Sequence, residues 1–96
     1  MKMVVTYPVI FTATNDNKET VLIEVPDIDG ALSEGFGMQD AREMARSLIS
    51  DMLYDMLEDG EEIPEASDAE DIDVEEGHFF DAGISSVEEI TAEINE

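Results

Sequence analysis

The longest regular pattern of apolar and polar residues in the chain runs from Met38 to Asp59. Apolar residues recur there every three or four positions, which predicts one stripe along an α-helix. The stripe consists of Ala41, Ala45, Leu48, Ile49, Met52, Leu53, Met56 and Leu57. The other side is polar, with Asp40, Glu43, Ser47, Ser50, Asp51, Asp55 and Glu58. Gly37 stands at the expected N-cap, and we expect Leu53, at the centre of the stripe, to be buried.

Three segments before this helix have the composition of β-strands. The first runs from Met3 to Thr12, the second from Thr20 to Val25, and a shorter third from Ala31 to Glu34. Because Pro8 cannot donate a backbone hydrogen bond, the first strand should be an edge at that point or contain a bulge. The order predicts an α+β fold, in which one long helix packs across a three- or four-stranded, mainly antiparallel sheet.

The rest of the chain is predicted to be an acidic C-terminal extension, residues 68–96, to a core domain of residues 1–67. Residues 66–76 are acidic and low in complexity, which is typical of a mobile segment. Residues 78–84 predict a fourth strand. The capping-box pattern of residues 86–89 predicts a short second helix, whose narrow apolar stripe would be Val87, Ile90 and Ile94.

The charge is extreme, with 26 acidic residues against 4 basic ones and a net charge of −22. The basic residues all precede position 47: Lys2, Lys18, Arg42 and Arg46. Such a surface repels phosphates, so we expect no direct binding of nucleic acid and no DNA-binding domain in residues 68–96. Two interpretations of the charge stay open, namely solubility and attraction to a basic macromolecule.

The compartment is indicated only indirectly. The sequence contains no cysteine, which fits the reducing cytoplasm. Its first residues lack the apolar core of a signal peptide, and no apolar run reaches the length of a membrane span. We therefore expect a cytoplasmic protein without membrane contact.

Acidic residues are abundant, but no pattern among them indicates catalysis. The segment from Asp71 to Gly77 is similar to a calcium loop, yet Glu76 and Ala82 stand where an EF-hand loop needs Gly and Glu. The single histidine, His78, excludes a metal site built from several histidines. We predict that the protein is not an enzyme and holds no metal or cofactor.

Four short motifs follow one another across about two thirds of the chain. They are Tyr7 to Phe11, Val25-Pro26-Asp27-Ile28-Asp29-Gly30, the pair Ser33-Glu34-Gly35 and Met38-Gln39-Asp40-Ala41, and Leu57 to Ser67. Their order and spacing resemble the HicB family of antitoxins, the partners of HicA toxins. The second motif is similar to the family's Phe-Pro-Asp-Leu-Pro-Gly turn, and the last to its acidic segment ending in Ile-Pro-x-Pro-Ser. The chain departs from common family residues at Asp29, Ala31 and Gly37.

The resemblance implies a partial ribonuclease H-like fold, with a helix across a sheet of three or four strands. Active ribonuclease H enzymes hold metals with carboxylates, one of them on the first strand, and Met3 to Thr12 contains no acid. Many members of the family carry a DNA-binding domain after this region. We expect none in residues 68–96, which are short, acidic and without Lys or Arg.

Our leading hypothesis is an antitoxin that binds and neutralises a small basic HicA-type ribonuclease, since a positive RNA-binding surface attracts a domain of charge −22. We expect Asp27, Asp29 and Glu34 to contact this partner. The other interpretation of Asp27 and Asp29 is that they cap their own turn. An alternative function is an acidic DNA mimic, or another interaction module, that titrates a nucleic-acid-binding protein. A metal-dependent nuclease on the same fold is a third hypothesis, and there we expect no activity.

We also expect a homodimer, because a small open sheet has two edges and one helix covers one face only. The resemblance to a self-pairing family implies the same. Repulsion between two such acidic chains places the predicted interface in the apolar N-terminal half, around Val4, Ile10, Val21 and Ile23. Screening by ions then predicts that the dimer strengthens as salt rises.

Overall fold

The structure, a computed structural model, describes residues 2–16 and 18–95. It is one four-stranded antiparallel sheet in the order β3-β2-β1-β4 with one long helix. The elements are β1 (Lys2–Thr14), β2 (Thr20–Glu24), β3 (Leu32–Phe36), α1 (Met38–Glu58) and β4 (Gly83–Asn95). The predicted fold class is confirmed. In the part of the chain that the structure describes, no helix is both long and apolar enough to cross a membrane.

Helix α1 lies on one face of the sheet through its predicted stripe. Ala41, Ala45, Ile49 and Leu53 are fully buried, and the other four stripe residues are partly buried against the same core. The helix begins directly after Gly37, whose φ of 82° is a conformation that favours glycine. Its last turn has no basic residue, so burial of the stripe, rather than charge pairing with the helix dipole, stabilises this helix.

Gly35 explains how closely α1 approaches the sheet. A Cβ atom at this position would lie 2.8 Å from the backbone N and Cα of Ala41. No larger residue fits there unless the helix moves, so the small residues Gly35 and Ala41 set the distance between β3 and the start of α1. The Ser33-Glu34-Gly35 and Met38 to Ala41 motifs are therefore two sides of one packing contact.

The end of the chain differs from the prediction. Residues 83–95 form a strand, β4, and not a short helix, and the predicted fourth strand at residues 78–84 is wrong in position. β4 pairs with β1 along its whole length, from Lys2↔Asn95 to Thr14↔Gly83. Its inward residues Ile90, Ala92 and Ile94 join the core under α1. The three residues alternate along the strand, and this pairing, rather than helical spacing, determines their structure.

Pro8 is accommodated by the direction of its backbone groups. The amide of Gly37 donates to the carbonyl of Glu19 at 2.9 Å. Glu19 directly precedes β2, so the odd-numbered residues of β2 direct their backbone N–H and C=O groups towards β3. Even-numbered residues of β2 and β1 consequently bond to each other. Pairing between these strands begins at Ile10↔Glu24, so the nitrogen of Pro8 faces a place where β2 has ended. The predicted one-sided pairing of β1 at Pro8 is confirmed.

The second face of the sheet is covered in part by residues 67–82, which we call the strap. It contains three single turns of 3-10 helix at Ala69–Asp71, Val74–Glu76 and Phe80–Ala82. Beneath it Pro8, Ile10 and Thr12 are buried, and the Cδ1 atom of Ile10 lies against Gly77. The acidic segment predicted to be mobile therefore packs across the sheet.

The interface predicted for a homodimer is wrong. Ile10, Val21 and Ile23 are 4%, 4% and 0% exposed within one protomer, so they have no surface to offer a second copy. Of the four predicted residues, Val4 alone is exposed, at 58%. The apolar residues of this half of the chain are already covered by α1 or by the strap, and the homodimer itself stays a prediction.

Candidate protein-binding surface

Asp27 connects two distant parts of the chain. Its carboxylate accepts hydrogen bonds from the backbone N–H of Ser67 at 2.8 Å and from the Ser67 hydroxyl at 2.6 Å. The turn that contains Asp27 is closed by backbone bonds instead, including Ile28 N to the Val25 carbonyl at 3.1 Å. Asp27 thus fixes the start of the strap and does not cap its own turn.

Tyr7 holds the segment before the strap in the same region. The ring is buried in the core, and its hydroxyl donates a hydrogen bond to the carbonyl of Pro64. Burial raises the pKa of the Tyr7 phenol, and the negative charge of Asp27 raises it further. The phenol therefore stays protonated and remains a donor. The sequence indicates a strand residue at Tyr7 and the start of the first family-like motif, but it does not indicate the hydrogen bond, because the acceptor is 57 residues away along the chain.

Asp29 lies at the rim of a depression between the C-terminal half of α1, the 26–30 turn and residues 61–64. The depression has a volume of about 430 Å³ and is lined by Asp27, Ile28, Asp29, Met52, Met56, Glu61 and Pro64. We call it the acidic depression. Asp29 and Glu61 are exposed, while Met52 and Met56 are partly buried. The site combines an apolar floor with carboxylates at the rim.

The acidic depression lies near the C-terminal end of α1, and this position makes its electrostatic potential more negative. The partial negative charge of a helix C-terminus is not offset here by any basic residue in the last turn. Glu58, Asp59 and Glu61 are exposed nearby along the chain. A cationic group in the acidic depression would face this combined field.

Glu34 lies elsewhere. It pairs with Leu22 across β2 and β3, and Leu22 pairs with Thr12, which points to the face away from α1. Of the three predicted contact residues, the structure brings Asp27 and Asp29 together around the acidic depression and leaves Glu34 on the other face of the sheet. Their contact with a partner stays a prediction.

Few acids are neutralised within the chain. The described residues form two ion pairs, Lys2–Glu93 at 3.0 Å and Arg42–Glu88 at 2.9 Å. Arg42 binds Glu88 with both its Nε and Nη2 atoms. Hydrogen bonding to Arg42, with its positive charge, lowers the pKa of the Glu88 carboxyl although partial burial opposes this. Both ion pairs involve β4, so neither reaches the acidic depression.

Carboxylates in the strap and in the neighbouring strand β2 accept hydrogen bonds from backbone amides of the strap. Asp73 accepts a hydrogen bond from the amide of Glu75 at 3.0 Å, and Glu24 accepts one from the amide of His78 at 2.7 Å. The His78 ring meets Phe79 edge to face at 4.8 Å. Within residues 2–16 and 18–95 there is no group of three or more His, Cys, Asp or Glu side chains arranged to hold a metal ion. The segment that is similar to a calcium loop lies in the 3-10 turns Ala69–Asp71 and Val74–Glu76.

Comparison with protein families gives a match over most of the chain. The profile of the family described as "HicB_like antitoxin of bacterial toxin-antitoxin system" matches residues 7–94. A relative from Haemophilus phage HP1 (strain HP1c1), an uncharacterized 14.9 kDa protein in the rep-hol intergenic region, is 34% identical over 64 residues. That alignment covers 67% of this chain and 46% of the phage protein, so the chain spans less than half of its relative's length.

Solved structures share the fold. An antitoxin-containing structure titled "Toxin-Antitoxin complex from Streptococcus pneumoniae" matches with a TM-score of 0.81 and 20% identity, covering 94% of this chain and 69% of that one. A "HicA3 and HicB3 toxin-antitoxin complex" matches with a TM-score of 0.65 and 18% identity, over 96% of this chain and 100% of that one. At these identities the likeness concerns the fold alone.

Proposed function

The chain belongs to the HicB-like antitoxins of bacterial toxin–antitoxin systems, and on that premise we propose that it binds and neutralises a small basic HicA-type ribonuclease. A protein that grips RNA presents positive charge to the phosphates. A domain with 26 acidic and 4 basic residues is steered to the same surface and competes with RNA for it. We propose that this takes place in the cytoplasm, where RNA is the target of such a toxin.

The observation that carries the proposal is the acidic depression. Lysine and arginine side chains have an apolar stem and a charged head, and they bind best where both find a partner. Met52 and Met56 offer apolar surface to the stem, and Asp29 and Glu61 offer exposed carboxylates to the head. Asp27 is already bonded to Ser67, so we assign it to shaping the site rather than to direct contact.

We also propose that this chain has no catalytic role. In the part of β1 from Met3 to Thr12 there is no acid to hold a metal, although a ribonuclease H-like activity needs carboxylates that converge on one. We propose that the protein has no nuclease activity of its own. Assays with Mg²⁺ and Mn²⁺ should show no cleavage of RNA or DNA above the level of buffer.

Calorimetry with a small basic HicA-type toxin, sought in the gene next to this one, tests the proposal. We expect the double variant Asp29→Lys with Glu61→Lys to weaken binding by roughly a hundredfold or more, as for reversed charges at an interface. Glu43→Lys, an exposed acid near the other end of α1, is the matched control and should change affinity by less than about threefold.

Further arms separate the competing interpretations. Glu34→Lys tests the other face of the sheet, and a loss of affinity confined to this variant would move the contact away from the acidic depression. Equal binding to several unrelated DNA-binding proteins would favour a DNA mimic over an antitoxin. Failure to bind any basic ribonuclease would overturn the proposed function.

A further inference from the structure

The end of α1 positions one acidic wall of the depression. The amide of Gly60 donates to the carbonyl of Leu57 at 3.1 Å, and the amide of Glu61 donates to the carbonyl of Met56 at 2.9 Å. These two bonds form a Schellman motif, which ends a helix and turns the chain back across its last turn. Glu61 is therefore fixed beside Met56, and both residues line the acidic depression.

The turn after β2 positions the second acidic wall. Its backbone is closed by hydrogen bonds from the Val25 N–H to the Ala31 carbonyl at 3.0 Å and from the Ala31 N–H to the Ile28 carbonyl at 3.2 Å. The Ile28 side chain is buried in the core, so the turn cannot move outward without exposing it to water. Asp29, the next residue, is thus held at the rim on a different wall from Glu61.

Hydrogen bonds between distant parts of the chain hold the third wall, residues 61–64, and the turn beside it. The Tyr7 hydroxyl donates to the carbonyl of Pro64, and Asp27 accepts from Ser67 with both carboxylate oxygens. All three walls are therefore fixed in the protein without a ligand. A pocket whose shape exists before binding loses little conformational freedom when a ligand enters it, and this favours affinity.

None of the four basic residues, all of which the structure describes, neutralises the acidic depression. Lys2 and Arg42 form ion pairs with acids of β4, and Arg46 lines a groove beside the same strand. Lys18 lies in the turn before β2, at the opposite end of that strand from Asp29. The residues that line the depression include three acids and no base. Carboxylates beside a helix C-terminus without an internal counter-charge attract a cation from outside.

The floor of the depression distinguishes between the two kinds of basic side chain. Met52 and Met56 lie one helical turn apart and present thioether groups, which are apolar and polarisable. A lysine ammonium is a compact, strongly hydrated charge, and an apolar floor does not replace its water. An arginine guanidinium is planar and weakly hydrated, so it can lie flat on the floor while its five N–H donors reach carboxylates on two walls. The lining therefore fits arginine better than lysine.

We propose that the acidic depression is a pocket for one arginine side chain of the basic toxin, and that it selects arginine over lysine. The identity of the partner rests on the proposed function, whereas the selectivity of the pocket can be measured without a toxin. The aliphatic stem packs on Met52 and Met56, and the guanidinium donates to the carboxylates of Asp29 and Glu61. The volume of about 430 Å³ is at the low end for ligand sites, which suits a single side chain.

Two small probes test the pocket without the toxin. N-acetyl-argininamide and N-acetyl-lysinamide differ only in their side chains, and the NMR signals of the methionine methyl groups report where each one binds. We expect the arginine probe to shift the signals of Met52 and Met56 with a roughly millimolar dissociation constant, and the lysine probe to bind at least about fivefold more weakly. Met44, which is exposed near the start of α1, is the internal control and should not shift.

A double variant tests the two rim carboxylates. Asp29→Asn with Glu61→Gln removes both charges at nearly constant side-chain volume, and both residues are exposed, so the fold should be unaffected. We expect this variant to bind the arginine probe at least about tenfold more weakly than the wild type, because charge-assisted hydrogen bonds are replaced by neutral ones. Glu43→Gln, an exposed acid near the other end of α1, is the matched control and should bind the probe like the wild type.

Exchange of each toxin arginine for lysine, one at a time, tests the pocket in the complex. One exchange should weaken binding to the wild-type chain by at least about tenfold, since lysine keeps the charge but loses the planar donor group. The same exchange should have little further effect on binding to Asp29→Asn with Glu61→Gln, because the two changes remove one shared interaction.

The outcomes separate this inference from the proposed function. Equal binding of the two probes, methyl shifts at Met44 as large as those at Met52, or a double variant that binds the arginine probe like the wild type would overturn the arginine pocket. A toxin that binds tightly but is weakened by no single arginine exchange would overturn it as well, and the proposed function would stand. A toxin that does not bind at all would overturn the proposed function, and the selectivity measured with the two probes would stand.

Discussion

The two faces of the sheet are covered in different ways. On one face α1 inserts Ala41, Ala45, Ile49 and Leu53, all fully buried, against β1, β2 and β4. On the other face the strap contributes no fully buried side chain among its three helical turns. It is attached through polar contacts, at Asp27 with Ser67 and at Glu24 with the amide of His78.

The difference concerns the source of stability. Burying a large aliphatic side chain contributes about 1.5–3 kcal/mol, whereas one hydrogen bond contributes roughly 0.5–1.5 kcal/mol net. The helix is therefore held by a continuous apolar contact, and the strap is held by a few separate hydrogen bonds. The acidic composition of the strap follows from this arrangement, because residues that need no burial can carry charge.

The largest effect is expected on the helix side. Leu53→Ala should lower the free energy of unfolding by about 2–5 kcal/mol, since Leu53 is completely buried at the centre of the stripe. Met44→Ala, at an exposed position of the same helix, is the control. Urea denaturation measures both. A loss below about 1 kcal/mol for Leu53→Ala would mean that this face is exposed and acts as a binding groove.

A smaller effect is expected on the strap side. Ile10→Ala removes a buried side chain, but the strap can move towards the sheet and reduce the cavity. We expect a loss of about 1–3 kcal/mol, at or below the lower end of the usual range. Val4→Ala, on the same strand and face but exposed, should have little effect. If Ile10→Ala cost as much as Leu53→Ala, the two faces would be equally rigid.

Loss of the hydrogen bonds that attach the strap should affect the order of the strap more than the stability of the whole domain. Asp27→Ala, which removes both hydrogen bonds to Ser67, should cost about 0.5–1.5 kcal/mol, and Ser67→Ala, which leaves the bond from the backbone N–H, should cost less. The double variant should cost little more than Asp27→Ala alone. Limited proteolysis should cut residues 67–82 faster in all three. Asp29→Ala, two residues away and exposed, is the control and should resemble the wild type. Additive losses would show that the two side chains act separately.

The smallest expected effect is on how the free energy of unfolding depends on pH. The pKa of Glu88 is lowered in the folded state by Arg42, so this carboxylate adds stability above the ordinary glutamate pKa of 4.5. That contribution is lost as the pH falls through the lowered value. The difference in stability between the wild type and Glu88→Gln should thus shrink on acidification. A difference that is constant from neutral pH downward would exclude this coupling.

The helix and its face could be predicted because their signal is local. Leu53 and the rest of the stripe recur with the period of the helix that they belong to, and Gly37 marks its start. β4 could not be recognised in this way. Val87, Ile90 and Ile94 fit a helical spacing, and what makes them a strand is pairing with β1, which begins more than 80 positions earlier.

The candidate site shows the same limit. Asp27 and Asp29 were found from the turn in which they lie, and the structure gathers both around the acidic depression. The Ser67 partner of Asp27 is 40 residues away, and Glu61 and Met52 come from other elements. Glu34 is predicted together with them because it belongs to the same family-like segment, residues 25–35. The alternation of side chains along β3 places Glu34 on the other face. This can be seen only from the register between β1, β2 and β3, which the sequence of a single segment does not determine.

Pairing of the first and last strands has a consequence for synthesis on the ribosome. β1 is translated early, but its longest partner, residues 83–95, is translated only after β2, β3 and α1. Until then β1 exposes apolar residues to the cell, and contacts between residues so far apart in sequence form slowly. The protein therefore reaches its native state only after translation of β4, and each newly made copy passes through an interval in which it cannot yet act.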